Sequence, residues 1–438
     1  MNARIPALAA DSDTAVVTLA NGARVLTLRR PQLESASVSV FVRVGSAHES
    51  AAQNGICHVV EHMVFKGTSQ RDCRRINLDA ERLGAEVNAH TDKDHTAFHM
   101  RGLGPDAPAF VRMLAELVAE PTFPAAEFER ERQVLLHEIV EDEDDPMTTA
   151  YKLFDRACFG THGFAQPVIG TRRNIERFTR EDLLQHVRTR YGAVNVVVGA
   201  AGAIDPEQIA RAAEQAFCGL AAGTPTLPSA PAYRGGVRTR ALAGSSQTQL
   251  VLGFPLPPLA ADDASGELAA VLFGEGMSSP LLDELRERRG LVYHAACSAD
   301  VYDGCGQFVV EAATSPEQLG DCLEGVGRLL ARQADAIDPV DLERARKQVA
   351  VRQAQAGERP ARQLEDAALE LMTLGRVRTR AERAARIADL GAEALRTRFV
   401  RMLEQGVSVA LAGRVARGSS DRVRETIDRV LPRPASVR

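Results

Sequence analysis

No stretch of this 438-residue sequence approaches the ~20 consecutive apolar residues that a transmembrane helix needs, so no membrane-spanning role is expected. Neither sign of charge dominates. Lys and Arg number 53 against 58 Asp and Glu, a net charge of −5, which implies no general attraction to nucleic acid or to an anionic membrane. Residues 1–11 carry one arginine and a few small apolar residues, without the continuous apolar core of a signal peptide. The seven cysteines (57, 73, 158, 218, 297, 305 and 322) are odd in number and scattered, with no Cys-x-x-Cys pair. They read as free thiols in a reducing cytoplasm rather than as disulfides. What is present, 45% hydrophobic and 25% charged, is an ordinary soluble globular balance, and the length suggests two or three domains.

Against that plain background, His58-Val59-Val60-Glu61-His62 stands out. Two histidines four apart share one helix face, and Glu61 points toward it. Imidazole nitrogens are good zinc ligands, and three protein ligands plus a water make a catalytic zinc site. A carboxylate beside that water can take its proton. The alternative is an exposed helix face with polar residues at helical spacing. Two observations weigh against it. Ile56, Cys57, Val59, Val60, Met63, Val64 and Phe65 make the helix mostly buried, and buried polar groups need partners. A third ligand is also on offer downstream, where residues 127–140 have helical periodicity. Glu131 and Glu138 lie seven apart there, on one face. Cys57 adjoins His58 but points about 100° away around the helix, so it is not counted as a ligand.

The order His-x-x-Glu-His is the signature of inverted-motif zinc peptidases. The stretch from His58 to Thr68 resembles the zinc helix and following turn of the pitrilysin/insulysin family, in its shorter branch similar to the mitochondrial processing peptidase. Glu131-Arg132-Gln133-Val134-Leu135-Leu136-His137-Glu138 resembles that family's downstream glutamate segment. The resemblance implies one Zn2+ per chain held by His58, His62 and Glu138, with Glu61 as general base. It implies for Glu131 the role of orienting a ligand histidine.

The chain also repeats itself. Residues 221–236, with prolines and glycines and no hydrophobic period, read as a linker. A strand then a helix at 195–202 and about 205 onward, with Pro206 at the helix start, is echoed at 407–413 and 420–430. Helices around 181–191 and 394–403 precede the two strands. With Phe65 laid over Phe273, His58, Glu61 and His62 fall on Gly266, Ala269 and Ala270. One half would hold zinc and the other would not. Val38, Val40, Val42 and Val44 predict a half-buried strand, and 84–91 with 96–101 predict a hairpin. The expected fold is α+β: two homologous domains, 1–220 and 237–438, each a mostly antiparallel sheet with helices on one face.

In the second half, residues 274–293 resemble the family's glycine-rich loop followed by an Arg…Tyr pair. The resemblance implies that Arg286 and Tyr293 contact substrate, with Arg289 a near alternative. Pro280 departs from the family's basic residue. His162 to Gly170 resembles a family turn, with Gly163 where a proline is usual. The strand at Asn88 resembles the one bordering the substrate cleft, where an extended peptide adds through backbone hydrogen bonds and Asn88 helps to hold it. His90, His95 and His99 are expected to be ordinary polar positions, since four residues along a strand span about 13 Å. The acidic run 141–145 reads as a solvated helix end. The whole implies a zinc metalloendopeptidase that cleaves short or unfolded peptides in an enclosed chamber. Its partners would be a peptide substrate and either a second copy or a related chain. Two alternatives stay open: the catalytic half of a heterodimer that processes a dedicated precursor, and a non-catalytic subunit of a larger complex.

Overall fold

The computed structural model describes residues 13–227 and 229–431. The stretch 1–11, read above for targeting signals, lies outside them. Strands are β1 (Thr14–Thr18), β2 (Arg24–Arg29), β3 (Ser35–Val42), β4 (Glu86–Thr91), β5 (Thr96–Leu103), β6 (Val196–Gly202), β7 (Gly236–Ala241), β8 (Thr248–Leu256), β9 (His294–Val301), β10 (Gly306–Thr314) and β11 (Ser408–Gly413). The helices used below are α1 (Ile56–Met63), α2 (Ala107–Ala119), α3 (Ala125–Asp144), α4 (Pro146–Phe159), α5 (Pro206–Phe217), α6 (Ser265–Gly274), α7 (Leu319–Asp335), α8 (Pro339–Gly357), α9 (Pro360–Leu374), α10 (Ala392–Glu404) and α11 (Ser419–Val430). Among the described residues, no helix is long and apolar enough to cross a membrane.

The chain forms two compact units. The first holds the chain up to Ile139, the stretch from Pro167 to the linker, and Gln355–Val377. The second takes Val140–Gln166, Ser229–Ala354 and the chain from Arg378 on. No single cut separates them. Each unit takes one segment from the far side of the linker.

The first unit carries a sheet of order β1-β2-β6-β3-β5-β4, in which only β2 and β6 run parallel. Val38, Val40, Val42, Val198 and Ala200 alternate along their strands onto one face, under α1, α2 and α5. The residues between them face the other way. Leu26, Leu28, Phe41, Ala97 and Val197 pack under Leu364, Ala367, Ala368 and Leu371 of α9. The expectation of helices on one face is therefore corrected, and β3 is buried on both sides. The α9 segment lies more than 300 residues from β2 in sequence, so local patterning could not reveal it.

The second unit repeats the plan with the order β7-β11-β8-β10-β9, mixed because β7 and β11 run parallel. One face packs against α6, α7, α10 and α11 around Phe273, Phe308 and Phe399. The other face is covered by α4, whose Phe154 approaches Gly253 closely enough that a Cβ there would lie 2.7 Å away. The α+β class is as read. So are the strand-then-helix echo at β6–α5 and β11–α11, and the antiparallel hairpin β4–β5. The acidic run ends α3, and Asp145 then caps α4 by accepting from the Thr148 amide at 2.7 Å.

Candidate metal centre

Helix α1 starts abruptly because its N-terminus is capped from a distance. Gly55 sits at φ 100°, a conformation that favours glycine, and the buried Glu49 carboxylate accepts from the Gly55 and Cys57 amides, each at 2.8 Å. Gly170 backs against this turn, where a Cβ would meet the Gly55 Cα at 2.5 Å. Asn54 donates to the Pro167 carbonyl at 2.8 Å. The His162-to-Gly170 segment thus ends as a brace for α1. Ile56, Cys57, Val59, Val60 and Met63 are buried, which turns His58, Glu61 and His62 to the opposite, half-buried side. Cys57 faces away, with its sulfur 3.7 Å from His186 Nε2.

Helix α3 brings up the carboxylates. Phe128, Leu135 and Ile139 bury one stripe, and this presents Glu131 and Glu138 to α1 two turns apart. Glu138 Oε2 lies 3.6 Å from His62 Nε2 and 3.9 Å from His58 Nε2. Ligand atoms of His58, His62 and Glu138 all fall within 4.8 Å of one another. Glu131 Oε1 is 2.9 Å from His62 Nδ1, and its other oxygen is 2.7 Å from Lys66 Nζ. That bond holds the His62 ring with its Nε2 lone pair toward Glu138. Two imidazole nitrogens and one carboxylate oxygen are a donor set that zinc takes in catalytic sites, so these residues fit the ion.

The electrostatics set the two imidazoles apart. Burial, with the charge of His62 beside it, pushes His58 down to about 4, which keeps it neutral and able to ligate. Burial also lowers His62, but the Glu131 hydrogen bond and the charges of Glu138 and Glu61 outweigh it, so His62 ends raised. For Glu131, burial is overcome by hydrogen bonds from His62 and Lys66, and it ends lowered. Glu61 is raised, because burial outweighs its hydrogen bonds to the Thr91 hydroxyl and amide.

Two family descriptions match the chain in part: Insulinase (Peptidase family M16) over residues 24–172, and Peptidase M16 inactive domain over 177–349. An uncharacterized zinc protease of Rickettsia bellii is 31% identical over 76% of this chain and 81% of its own length. Another, of Mycobacterium leprae, is 35% identical over 72% and 73%. The chain belongs to peptidase family M16. Solved structures agree on the fold. A peptidase M16 inactive domain from Pseudomonas fluorescens superposes with TM-score 0.83 at 22% identity, covering 92% of this chain and 99% of its own. A protease from Helicobacter pylori does so with TM-score 0.83 at 21% identity, covering 92% and 100%.

Within this M16 chain, the residues singled out in the second half are placed as follows. Tyr293 is 82% exposed, and the Arg286 guanidinium lies 5.4 Å from its ring centroid. Seven residues apart in sequence, the two meet because a wide helical turn over Asp283–Arg288 ends at Gly290, with φ 59°. Arg289 lies elsewhere, with Nη1 3.4 Å from the Asp321 carbonyl and 3.9 Å from Glu284. Asn88 lies on the edge strand β4, exposed, with its side-chain oxygen accepting from the Ala89 amide at 2.8 Å. By strand alternation it faces away from α1, while Val87 and Ala89 pack beneath that helix.

His90, His95 and His99, read above as ordinary polar positions, form a hydrogen-bonded group. His95 sits in the β4–β5 turn, not within a strand, and is 2% exposed. The hairpin folds it back so that its Nε2 lies 3.2 Å from His90 Nε2, while His99 Nε2 lies 3.0 Å from His90 Nδ1. Pairing across strands, not distance along one, sets these contacts. Sequence reasoning also missed Glu49, which caps α1 from outside any helix signature, and Thr91, which holds Glu61.

Proposed function

We propose that this chain is a zinc-dependent endopeptidase acting on short or unfolded peptides, in the manner of the processing-peptidase branch of its family. One observation carries the reading: His58, His62 and Glu138 converge from two helices, with Glu61 beside them and Glu131 fixing the His62 ring. Its relatives' name, zinc protease, supports the same chemistry. A bound zinc would supply Lewis-acid polarisation of a peptide carbonyl and acidification of a water. Glu61 receives the attacking water's proton on a carboxylate oxygen and returns it to the departing amine nitrogen. Its raised proton affinity suits a group that must both accept and donate. Thr91 keeps that carboxylate aimed. Edge strand β4 offers unpaired backbone groups to an extended peptide, which would be held without regard to its sequence.

The proposal extends to Arg286 and Tyr293 as substrate-contacting groups. The exposed Tyr293 phenol offers a hydrogen-bond donor to a peptide oxygen as charge develops there. Arg286 is favoured over Arg289 because its guanidinium lies over the exposed Tyr293 ring, whereas Arg289 is turned to the Asp321 carbonyl and Glu284. Pairing with a second copy or a related chain belongs to the same proposal, and size-exclusion mass reads it.

The test is incubation of the purified chain with a mixed peptide library, with and without zinc or chelator, read by mass spectrometry. Zinc-dependent internal cleavage supports the reading. Cleavage that chelator leaves intact, or none in any arm, overturns it. Tyr293→Phe should lower turnover at unchanged zinc content, and an equal rate would remove Tyr293 from the proposal.

A further inference from the structure

A second group of ligating side chains lies in the first unit. His90 is the penultimate residue of β4, His95 closes the β4–β5 turn, and Glu365 reaches over from α9. One ligand atom from each falls within 4.8 Å of the others. His90 Nε2 is 3.2 Å from His95 Nε2 and 3.5 Å from Glu365 Oε1. For a tetrahedral ion bonded to nitrogen at 2.0–2.1 Å, the expected nitrogen–nitrogen edge is about 3.4 Å. Both edges lie close to that value.

The far nitrogens are also engaged. His95 Nδ1 is 2.8 Å from Asp94 Oδ1, and His90 Nδ1 is 3.0 Å from His99 Nε2. His99 in turn meets the Ser39 hydroxyl through its Nδ1 at 2.8 Å. Each ligating ring is therefore held from behind, as Glu131 holds His62, with its Nε2 aimed at the shared point. His95 is buried, while the His90 and Glu365 side chains are 37% and 24% exposed, so one side stays open to solvent.

A second arrangement competes. Asp94, His95, His90, His99 and Ser39 close a continuous hydrogen-bonded relay if His90 donates to His95 from Nε2 and accepts from His99 at Nδ1. That relay satisfies every ring nitrogen but does not use Glu365 Oε1, the oxygen that faces the rings while Oε2 accepts from Arg362 Nη1 at 3.3 Å. Glu365 Oε1 stands 3.5 Å from a nitrogen already committed to His95, too long for a good hydrogen bond. A cation between the three accounts for the carboxylate as well as for the facing nitrogens.

We propose that His90, His95 and Glu365 form a second divalent-metal site, suited to zinc or another borderline cation such as cobalt(II). Its role is structural. It ties α9, which covers the back of the sheet, to the turn of the β4–β5 hairpin. His90 directly precedes Thr91, the residue that holds Glu61, so the tie also steadies the strand beneath the first cluster.

The experiment counts metal in the full-length chain and needs no peptide hydrolysis, so a failure of the peptidase reading leaves it intact. In a His62→Ala background, which disables the first cluster, one equivalent of cobalt(II) should bind and give the intense visible bands of a low-symmetry nitrogen/oxygen site. Adding Glu365→Gln should weaken that binding at least tenfold, and His95→Asn should abolish it. His294→Asn, at an exposed site, serves as the control and should leave it unchanged. A His62→Ala chain that keeps its circular dichroism but binds no equivalent overturns the proposal and leaves the relay as the account. Equal affinity with and without Glu365→Gln does the same. If His95→Asn unfolds the hairpin, the Glu365→Gln arm decides alone, because that side chain is on a helix surface.

Discussion

Helices α1 and α6 occupy the same place in the two units and meet their neighbours by opposite means. In the first unit, α1 and α3 face each other through imidazoles and carboxylates, His58 and His62 against Glu131 and Glu138. In the second, Gly266, Ala269 and Ala270 stand at the positions of His58, Glu61 and His62, and every residue of α6 but Glu267 is buried. The partner helix changes in step. Asp341-Leu342-Glu343-Arg344-Ala345-Arg346 on α8 echoes Glu127-Phe128-Glu129-Arg130-Glu131-Arg132 on α3. This puts Ala345 where Glu131 is and Arg352 where Glu138 is. Arg352 ion-pairs Glu267 at 2.9 Å and Glu275 at 2.8 Å, and Arg344 donates to the Leu272 carbonyl at 2.7 Å. The second unit stitches its helices with guanidinium groups at the rim and packs small residues inside. The first keeps ionisable groups half-buried, and burial pushes Glu61 up and His58 down to about 4. It bears a desolvation cost that a bound cation would offset.

Glu61→Gln breaks the comparison most sharply, because it makes the first unit resemble the second at one atom. Peptide hydrolysis should fall by about 10²–10⁴-fold, the usual contribution of a positioned general base, with zinc content unchanged. Near-normal turnover would sink the assignment. The same variant tests the cost of burial. The folded-state proton affinity of Glu61 lies above its unfolded value, so the ionised carboxylate opposes folding at neutral pH, and that penalty fades as pH falls. In chelator at neutral pH, Glu61→Gln should therefore raise the thermal midpoint. A lowered midpoint would mean that the bonds to Thr91 outweigh desolvation.

The reverse exchange comes next in size. Ala269→Glu would restore the carboxylate in α6 with no histidine or Thr91 equivalent to receive it. An uncompensated buried charge should cost on the order of 3–5 kcal/mol, read as a lower denaturant midpoint. An unchanged midpoint would show that the second unit can open to water at this helix.

Acid should separate the units by a smaller margin. Eight of the ten histidines lie in the first unit's segments, and only His162 and His294 lie in the second's. Burial holds His186 down to about 3 and His99 down to about 4, the latter helped by the charges of His90 and His95. Their neutral forms are favoured in the fold. Their contribution is complete above pH 6.5 and is lost as pH falls toward those values. At pH 5 each costs on the order of 2 kcal/mol. Hydrogen exchange at pH 7 and pH 5 should show peptides of the first unit losing protection first. Equal loss in both units would contradict this asymmetry.

The motif at 58–62 was legible from helix spacing, and the acids at 131 and 138 from their shared face together with the family resemblance. The doubling was legible because one strand-then-helix pattern recurs. What escaped depended on contacts that no local period encodes. Helix α9 covers a sheet formed far upstream, so the strand Val38–Val42 gave no sign that both its faces are buried. Glu49 caps α1 from a loop. His90 and His95 meet only because a turn reverses the chain, which no spacing along one strand shows. Where the chemistry depends on spacing within one helix, sequence carries it. Where it depends on cross-strand pairing or on a distant segment, it does not.

Gly274→Ala offers the finest distinction between the units. In the superimposed repeat Gly274 falls on Lys66, whose ammonium holds Glu131 in the first unit. In the second, α6 comes so close to β9 that a Cβ on Gly274 would lie 2.3 Å from the Cys297 Cβ and 3.0 Å from its amide nitrogen. Its φ is not positive, so a loss of stability would report packing and not backbone strain. The cost should be ~1–3 kcal/mol, the usual range for an overfilled core. Because the closest clash is Cβ against Cβ, Cys297→Gly in the same chain should recover part of it, and Cys297→Ser should recover none. Full tolerance of the alanine would mean that this helix can lift away from its strand, and the tight closure of the second unit would then not be what distinguishes it from the first.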